Sequence, residues 1–524
     1  MSINKYSPVS HNKSVARSAT IISLATLVSR ILGFIRDVII ARLFGVYVHA
    51  QAFVIAFRIP NLFRDIVGEG ASNAAIVPVL SEYSHKRSKE EFWELANVLL
   101  NLLAVVLSAI TILGIIFSPL IVRLIAPGFI ASPDKLRETI NLNRIIFPYI
   151  LLVGLAAYAM AVLNSLKSFA VSAFSPCLLN ISIIIGALLL GEGTAGLATG
   201  VLLGGVLQLA VQLPALSKKG FRPKFKLMFN HPGVIQVKNL LLPRLVSSSI
   251  YQLNNFVDSI FGSLAAIVGD GGVAVLYFSY RLIQFPIGIF SNAVAQAILP
   301  TFSTQVLEEN RDNLKATLSW GLRAVFFVML PATALFMVLA GPLVSSLFGG
   351  GKFDSSSSLL TSNALFFYSI GLTAYGGTKI LQSCFFALKD TVTPTKMAGL
   401  ALLMNIVFCA ALMFPLKIGG LALATSLSGI ISFLFLFLKL RARLGGFGGR
   451  RIVSSFLRIL AASLCMAAAC FLVNRELNFA WAVFCAGLSY ILFCFLFKVA
   501  ELAEILHWLT AGRLKPKPWS NSIN

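Results

Sequence analysis

Apolar runs of twenty residues or more recur along almost the whole chain, separated by short polar stretches. About twenty apolar residues make a helix long enough to cross the hydrocarbon core of a bilayer. Such spans must satisfy their own backbone hydrogen bonds, which favours helices over open strands. The pattern therefore predicts an all-α polytopic membrane protein of about fourteen transmembrane helices. The spans fall near 18–43, 50–82, 95–124, 140–166, 172–191, 194–216, 237–265, 273–304, 317–347, 358–387, 394–414, 419–440, 452–473 and 478–500.

The first two spans break the apolar rule in a regular way. One carries Arg30, Gly33, Arg36 and Asp37, and the other carries Arg58, Asn61, Arg64 and Asp65 at the same spacing. Residues at i, i+3, i+6 and i+7 lie on one helix face, so each span has a charged stripe on an otherwise apolar surface. A charge at the bilayer centre costs about 2.5–3.5 kcal/mol even on insertion scales, too much for four arginines left facing lipid. The stripes are expected to line a wet interior, and their excess of positive charge points to an anionic passenger. The eighth span has its own stripe of Arg281, Gln284, Gly288, Asn292 and Gln296, and the seventh adds Arg244 and Asp258. Pro60, Pro78, Pro286 and Pro300 supply places for these spans to bend.

The chain repeats itself at a period near 220 residues. AAIVPVLS at 74–81 returns as QAILPTFS at 296–303, SPLIVRLIAPGF at 118–129 as GPLVSSLFGGGKF at 341–353, and LNS…SP at 163–176 as LQS…TP at 381–394. An even number of spans separates the copies, which makes them parallel repeats whose interface is the expected binding site. The domain reading follows: a tail over 1–17, a six-span lobe over 18–216, a basic linker over 217–236 and a second six-span lobe over 237–440. Spans 13 and 14 (441–500) form an appendix with an apolar surface suited to a hydrocarbon tail, and 501–524 is a second tail.

Composition sharpens this picture. The 524 residues are 57% hydrophobic and 12% charged, with a mean hydropathy of +0.85. The formal charge of +23 does not point to nucleic acid, because the basic residues cluster between spans. Lys86, Arg87 and Lys89, the 217–238 loop, Lys439 to Arg451, and Arg513, Lys515 and Lys517 all fall on one side. The opposite loops offer little beyond Lys135, Arg137, Lys352, Lys417 and Arg475. This asymmetry predicts that both termini are cytoplasmic. The polar first residues do not read as a cleaved signal. The seven cysteines include no C-x-x-C pair and read as small core side chains.

Several residues have plainer readings. Arg42, Arg144, Arg323 and Arg458 lie near span ends and are expected to snorkel to the interface. Asp37 and Asp65 are expected to neutralise part of the arginine charge. Asp258 is either a partner for Arg244 and nearby serines or, with oxygens from Asn405 and Thr425, a cation or proton site for coupling. GGGKF at 349–353 lacks the phosphate-loop spacing. No metal cluster or nucleotide site is evident, so an ion gradient or the membrane potential would supply the energy, without a cofactor.

SRILGFIRDVIIARLFG, AFRIPNLFRDIVGEGASNAAIVPVLSEY, APGF (126–129), FPYILL (147–152), GGVLQL (204–209), YRLIQFPIGIF and LFGGGKF, taken in order, resemble the MurJ (MviN) family. Those proteins are lipid II flippases of peptidoglycan synthesis, within the multidrug/oligosaccharidyl-lipid/polysaccharide exporter superfamily. The resemblance runs from about residue 18 to 440. It implies two six-helix lobes around a cationic cavity, with two C-terminal helices forming a groove for the lipid tail. It also implies an inner-membrane location and, as partners, lipid II, membrane lipids and other cell-wall or division proteins. Carried over residue by residue, the family's arginines match Arg30, Arg36, Arg64 and Arg281, and Asp37 and Glu69 fall in matching motifs. Relatives often have acids where this chain has Gln51, Tyr280 and Gln284, which makes the expected cavity more positive. The implied activity is translocation of lipid II by alternating access. Arg30, Arg36, Arg64, Arg281, Arg58 and Asn61 would bind substrate, and Asp37, Glu69 and Asp258 would gate or couple. Alternatives are a flippase for another polyprenyl-diphosphate oligosaccharide or a related exporter, a membrane enzyme on polyprenyl phosphates, and a scaffold. An enzyme would need a catalytic acid–base cluster, usually in a substantial loop, and none is evident.

Overall fold

The computed structural model describes residues 8–64, 75–191, 193–476 and 478–504, with side chains outside 8–19 and 242–252. Helices dominate. The first are α1 (Pro8–Phe44), α2 (Val48–Phe63), α3 (Val77–Lys86), α4 (Lys89–Ile116), α5 (Ser118–Ile125), α6 (Pro133–Ile146) and α7 (Tyr149–Ser165). Then come α8 (Ala170–Leu189), α9 (Ala195–Ala210), α10 (Leu213–Lys218), α11 (Pro232–Gly262), α12 (Ala265–Val268) and α13 (Gly272–Pro286). The last are α14 (Asn292–Leu307), α15 (Arg311–Val338), α16 (Ala340–Phe348), α17 (Ser355–Ala387), α18 (Val392–Leu444), α19 (Gly449–Glu476) and α20 (Phe479–Leu496).

Local sequence explains where these helices begin and bend. Ser88 caps α4 by accepting from the Glu91 N–H at 3.1 Å, with Glu90 and Glu91 in the positive first turn. Asn310 and Asn478 cap α15 and α20 in the same way. Between α13 and α14, immediately after Pro286, the helix widens into a π-turn over Ile287–Ser291, the bend that the proline predicts.

Among the described residues nine helices are long and apolar enough to cross a membrane. The sequence reading counts more for physical reasons. α1 carries Arg30, Arg36, Asp37 and Arg42, and α2 has only 16 residues before the undescribed stretch. α18 is a single run of 53 residues but breaks at Lys417, whose φ of 51° and ψ of −128° are not helical. The break follows Pro415 and separates the spans expected at 394–414 and 419–440.

The chain divides into two compact units. The first comprises Met1–Phe278, Leu347–Leu360 and Met413–Ile418, and the second Ser279–Ser346, Thr361–Leu412 and Gly419–Asn524. In the first, one core forms around Leu80, Phe92, Leu95, Tyr158 and Val162, joining α3, α4 and α7. The basic linker is strapped along α4. Asn97 donates to the Arg222 carbonyl (3.1 Å) and accepts from the Lys224 N–H (2.7 Å), Asn101 donates to the Lys224 carbonyl (2.7 Å), and Lys226 reaches Glu94 at 2.5 Å.

The repeated motif forms a reciprocal clasp in this unit. In the first copy, α5 runs into a 3₁₀ turn over Pro127–Ala131, whose Gly128 presses on the end of α11. A Cβ at Gly128 would lie 1.9 Å from the Ser263 carbonyl oxygen, and its N–H donates to Ser263 Oγ at 3.0 Å. In the second copy, Gly351 (φ 59°) presses on the end of α1. A Cβ there would lie 2.3 Å from the Arg42 carbonyl oxygen, which accepts from the Lys352 N–H at 2.8 Å. Each repeat therefore closes its loop on the opening helix of the other.

A further tie sits between α12 and α13. Lys135 donates to Asp270 at 2.6 Å and Gln51 donates to the same oxygen at 3.2 Å. Burial alone would raise the Asp270 pKa, but the hydrogen bonds from Lys135 and Gln51 and the lysine's charge hold the carboxyl below its ordinary value of 3.8. Stability from this pair is present above the ordinary value and is lost as pH falls through the lowered one. Asp270→Asn is expected to cost less than about 1 kcal/mol at pH 7, because the carboxylate is half-exposed. The gap in melting temperature from wild type should close as the pH drops below the carboxylate range. A gap that stays constant across that range would contradict the assignment.

In the second unit α15 packs against α19, and α19 against α20. Arg323 of α15 corrects the reading of it as a snorkelling residue. It is 3% exposed and paired with the 4% exposed Glu501, which also accepts from Ser455 at 2.8 Å. Arg42, Arg144 and Arg458 are exposed, as interface residues would be. Arg42 donates to the Leu347 carbonyl and Arg458 to that of Lys498.

Candidate substrate-binding site

The arginine stripe of α1 becomes a built cluster at Arg36. One helical turn before Arg36, Gly33 lies beside Asn180 of α8, where an added Cβ would sit at an ordinary contact distance of 3.7 Å from the amide. Arg36 and Asp37 are 3% and 0% exposed. The guanidinium donates to one Asp37 oxygen from Nε (3.0 Å) and Nη2 (2.7 Å). It also donates to Asn180 Oδ1 from Nη1 (3.1 Å) and to the Tyr277 hydroxyl from Nη2 (3.2 Å). Tyr277 in turn donates to Asp37 at 3.0 Å, and Asn180 donates to the Ser29 carbonyl at 3.1 Å.

This arrangement satisfies most of the guanidinium's donors and gives the buried charge a counter-ion, as a low-dielectric site demands. The expectation that Asp37 neutralises Arg36 holds in this structure. Sequence reasoning missed Asn180 and Tyr277, which lie 144 and 241 residues from Arg36. Only an intramembrane amide within an apolar run could have marked Asn180.

The other expected residues are distributed as follows. Arg30 is exposed on α1, two turns before the cluster. Arg58, Asn61 and Arg64 are half-buried on and just after α2, and the Arg64 N–H donates to the carbonyls of Asn61 and Pro60. Asp65 and Glu69 lie outside the described residues. Arg281 is half-buried on α13 and belongs to the second unit. Asp258 is half-buried on α11 in the first unit, whereas Asn405 and Thr425 are buried in the second. Those last two meet, the Thr425 hydroxyl lying 3.4 Å from Asn405 Oδ1. The sequence reading also passed over Lys379, an intramembrane cation half-buried on α17.

Comparison with known proteins places this geometry in context. A model of the family described as "Lipid II flippase MurJ" matches residues 40–492. The probable lipid II flippase MurJ of Buchnera aphidicola subsp. Acyrthosiphon pisum is 35% identical over 426 residues, covering 80% of this chain and 83% of that protein. The lipid II flippase MurJ of Burkholderia cenocepacia is 33% identical over 435 residues, covering 82% and 84%. Among solved structures, a lipid II flippase MurJ in an inward closed conformation aligns with a TM-score of 0.78 and 26% identity, covering 94% of this chain and 100% of that one. An inward-facing multidrug transporter of the MATE family shares the fold at a TM-score of 0.67 and 17% identity.

Proposed function

The chain belongs to the lipid II flippase MurJ family, and on that premise we propose how it performs the translocation. It is a multi-pass membrane transporter of lipid II. In our reading it works in the bacterial inner membrane with both termini cytoplasmic, moving lipid II from the cytoplasmic to the periplasmic leaflet by alternating access. It acts as a carrier and not as an enzyme, without a cofactor, driven by the membrane potential or an ion gradient. Asp258, Asn405, Thr425 and Glu69 are its coupling candidates.

The lipid's diphosphate is the group that the arginines recognise. Guanidinium–phosphate pairs make charge-assisted, bidentate hydrogen bonds stronger than neutral ones. Arg30, Arg58 and Arg64, with Asn61, hold the diphosphate, while the polyprenyl tail stays in lipid, and Arg281 of the second unit is a further substrate-binding candidate. Arg36 joins them by exchanging partners. In this structure Asp37 is its counter-ion, so no bare charge is buried. When a multiply charged diphosphate arrives, it outcompetes the single carboxylate for the guanidinium. Release restores the Arg36–Asp37 pair and resets the carrier. The observation that carries this reading is the buried Arg36–Asp37–Asn180–Tyr277 cluster in a chain matched to the family over residues 40–492.

Binding of lipid II to the purified protein tests the assignment. Arg64→Ala and Arg281→Ala are each expected to weaken binding by about 10-fold or more, as loss of a hydrogen bond between charged groups implies. Undecaprenyl monophosphate should bind more weakly than lipid II and lose less in the variants. Unchanged lipid II affinity in both variants would remove the arginines from the site.

A further inference from the structure

We propose that the second unit carries a phosphate-binding pocket where the start of α15 faces the turn between α18 and α19. A cavity of about 180 Å³ is lined there by Asp312, Lys315, Ser319, Arg323, Gly446, Phe447, Gly448 and Arg451. This end of the unit also bears the exposed basic residues Lys439, Arg441 and Arg450.

Two buried groups facing this cavity have no partner. Ser319 is 6% exposed and its hydroxyl makes no hydrogen bond, and Arg323, 3% exposed, leaves its Nε–H unpaired. The remaining guanidinium nitrogens are engaged, Nη1 with Glu501 and Nη2 at 3.7 Å from Glu504. Buried donors without acceptors are uncommon, because each forfeits its hydration without compensation.

The turn supplies further donors. The Ile452 N–H donates to the Gly448 carbonyl at 3.0 Å, which makes Gly448 (φ 79°) the cap position of the 28-residue α19. Glycine has no side chain to cap the N–H groups that follow, so the first turn is open to an anion. Ser319 and Lys315 flank this turn. A Cβ at Gly448 would lie 3.3 Å from Ser319 Oγ, and one at Gly445 would lie 3.9 Å from Lys315 Nζ.

Charge decides the kind of ligand. Arg323 is held by Glu501 and Glu504, whereas among the described residues Lys315 and Arg451 enter no ion pair and are left to meet an anion. Such a pocket suits a singly charged phosphodiester better than a dianion. The phosphate group could come from an anionic glycerophospholipid or from free inorganic phosphate, and either would tie α15 to the start of α19. This site is independent of the arginine stripe of α1 and α2.

Native mass spectrometry of the full chain, delipidated in detergent, tests the pocket with phosphatidylglycerol, phosphatidylcholine and inorganic phosphate as probes. Wild type should bind phosphatidylglycerol about 10-fold tighter than phosphatidylcholine, and Lys315→Ala/Arg451→Ala should lose most of that preference. Ser319→Ala, a small internal change, should weaken binding by a few-fold. Lys439→Ala/Arg441→Ala, which removes the same charge from the same end, should bind as wild type does. Displacement of phosphatidylglycerol by millimolar phosphate would mean that the pocket accepts either source, and no displacement would assign it to lipid. Equal binding of every probe by wild type and Lys315→Ala/Arg451→Ala would overturn the proposal. So would an equal loss in the Lys439→Ala/Arg441→Ala control.

Discussion

Asp37→Ala is expected to destabilise the protein by about 3–5 kcal/mol, the usual cost of leaving one member of a buried ion pair unpaired. Its side chain is fully buried and that of Arg36 is 4% exposed, so water cannot take over the lost contact. The Arg36→Ala/Asp37→Ala double variant should be more stable than Asp37→Ala alone, because it removes the stranded charge along with the partner. Thermal unfolding in detergent measures both. The double variant should still fail to transport, which separates the structural role of the pair from the binding role of Arg36. If Asp37→Ala melts with wild type, the guanidinium has another counter-ion and the exchange of partners is wrong.

The second large effect is expected at the reciprocal clasp. Gly128→Ala places a methyl group 1.9 Å from the Ser263 carbonyl oxygen, and Gly351→Ala places one 2.3 Å from that of Arg42. Both obstacles are backbone, so no rotamer change relieves them. Overpacking of this kind costs about 1–3 kcal/mol. Gly351→Ala adds about 1 kcal/mol or more for its left-handed backbone, which glycine adopts freely. The loops should lift from the ends of α11 and α1. Cysteine pairs placed across each contact should then cross-link several-fold more slowly in the alanine variants. Gly341→Ala, where an added Cβ meets nothing within 4 Å, is the control and should cross-link at the wild-type rate. Equal rates in all variants would show that the clasp is not a closed contact.

Helix periodicity marked the apolar helices, because the bilayer sets their length and lipid leaves only helices or closed barrels as spanning backbones. It also picked out the arginine stripes, since charges at three- and four-residue spacing in apolar runs stand out locally. What it could not supply was the partner of each charge. Asn180 and Tyr277 reach Arg36 from α8 and α13, and nothing near residue 36 records that meeting. Arg323 misled for the same reason. Its place near a span end suggests snorkelling, yet Glu501, 178 residues away, draws it inside. Gln51 likewise donates to Asp270, 219 residues away, a partner that nothing near residue 51 records. The break at Lys417 was readable because Pro415 and the following glycines interrupt a helix locally.

Exposure of lipid II at the outer face of cells relying on this protein as their sole flippase tests the central claim most directly. An added enzyme that cleaves lipid II from outside reports the translocated lipid, for wild type and for Arg30→Ala and Arg64→Ala at matched expression. Cleavage by wild type that falls at least about 10-fold in both variants is the predicted result, each having lost a charge-assisted contact to the diphosphate. Cleavage at wild-type levels in both variants would contradict a diphosphate carried on these arginines.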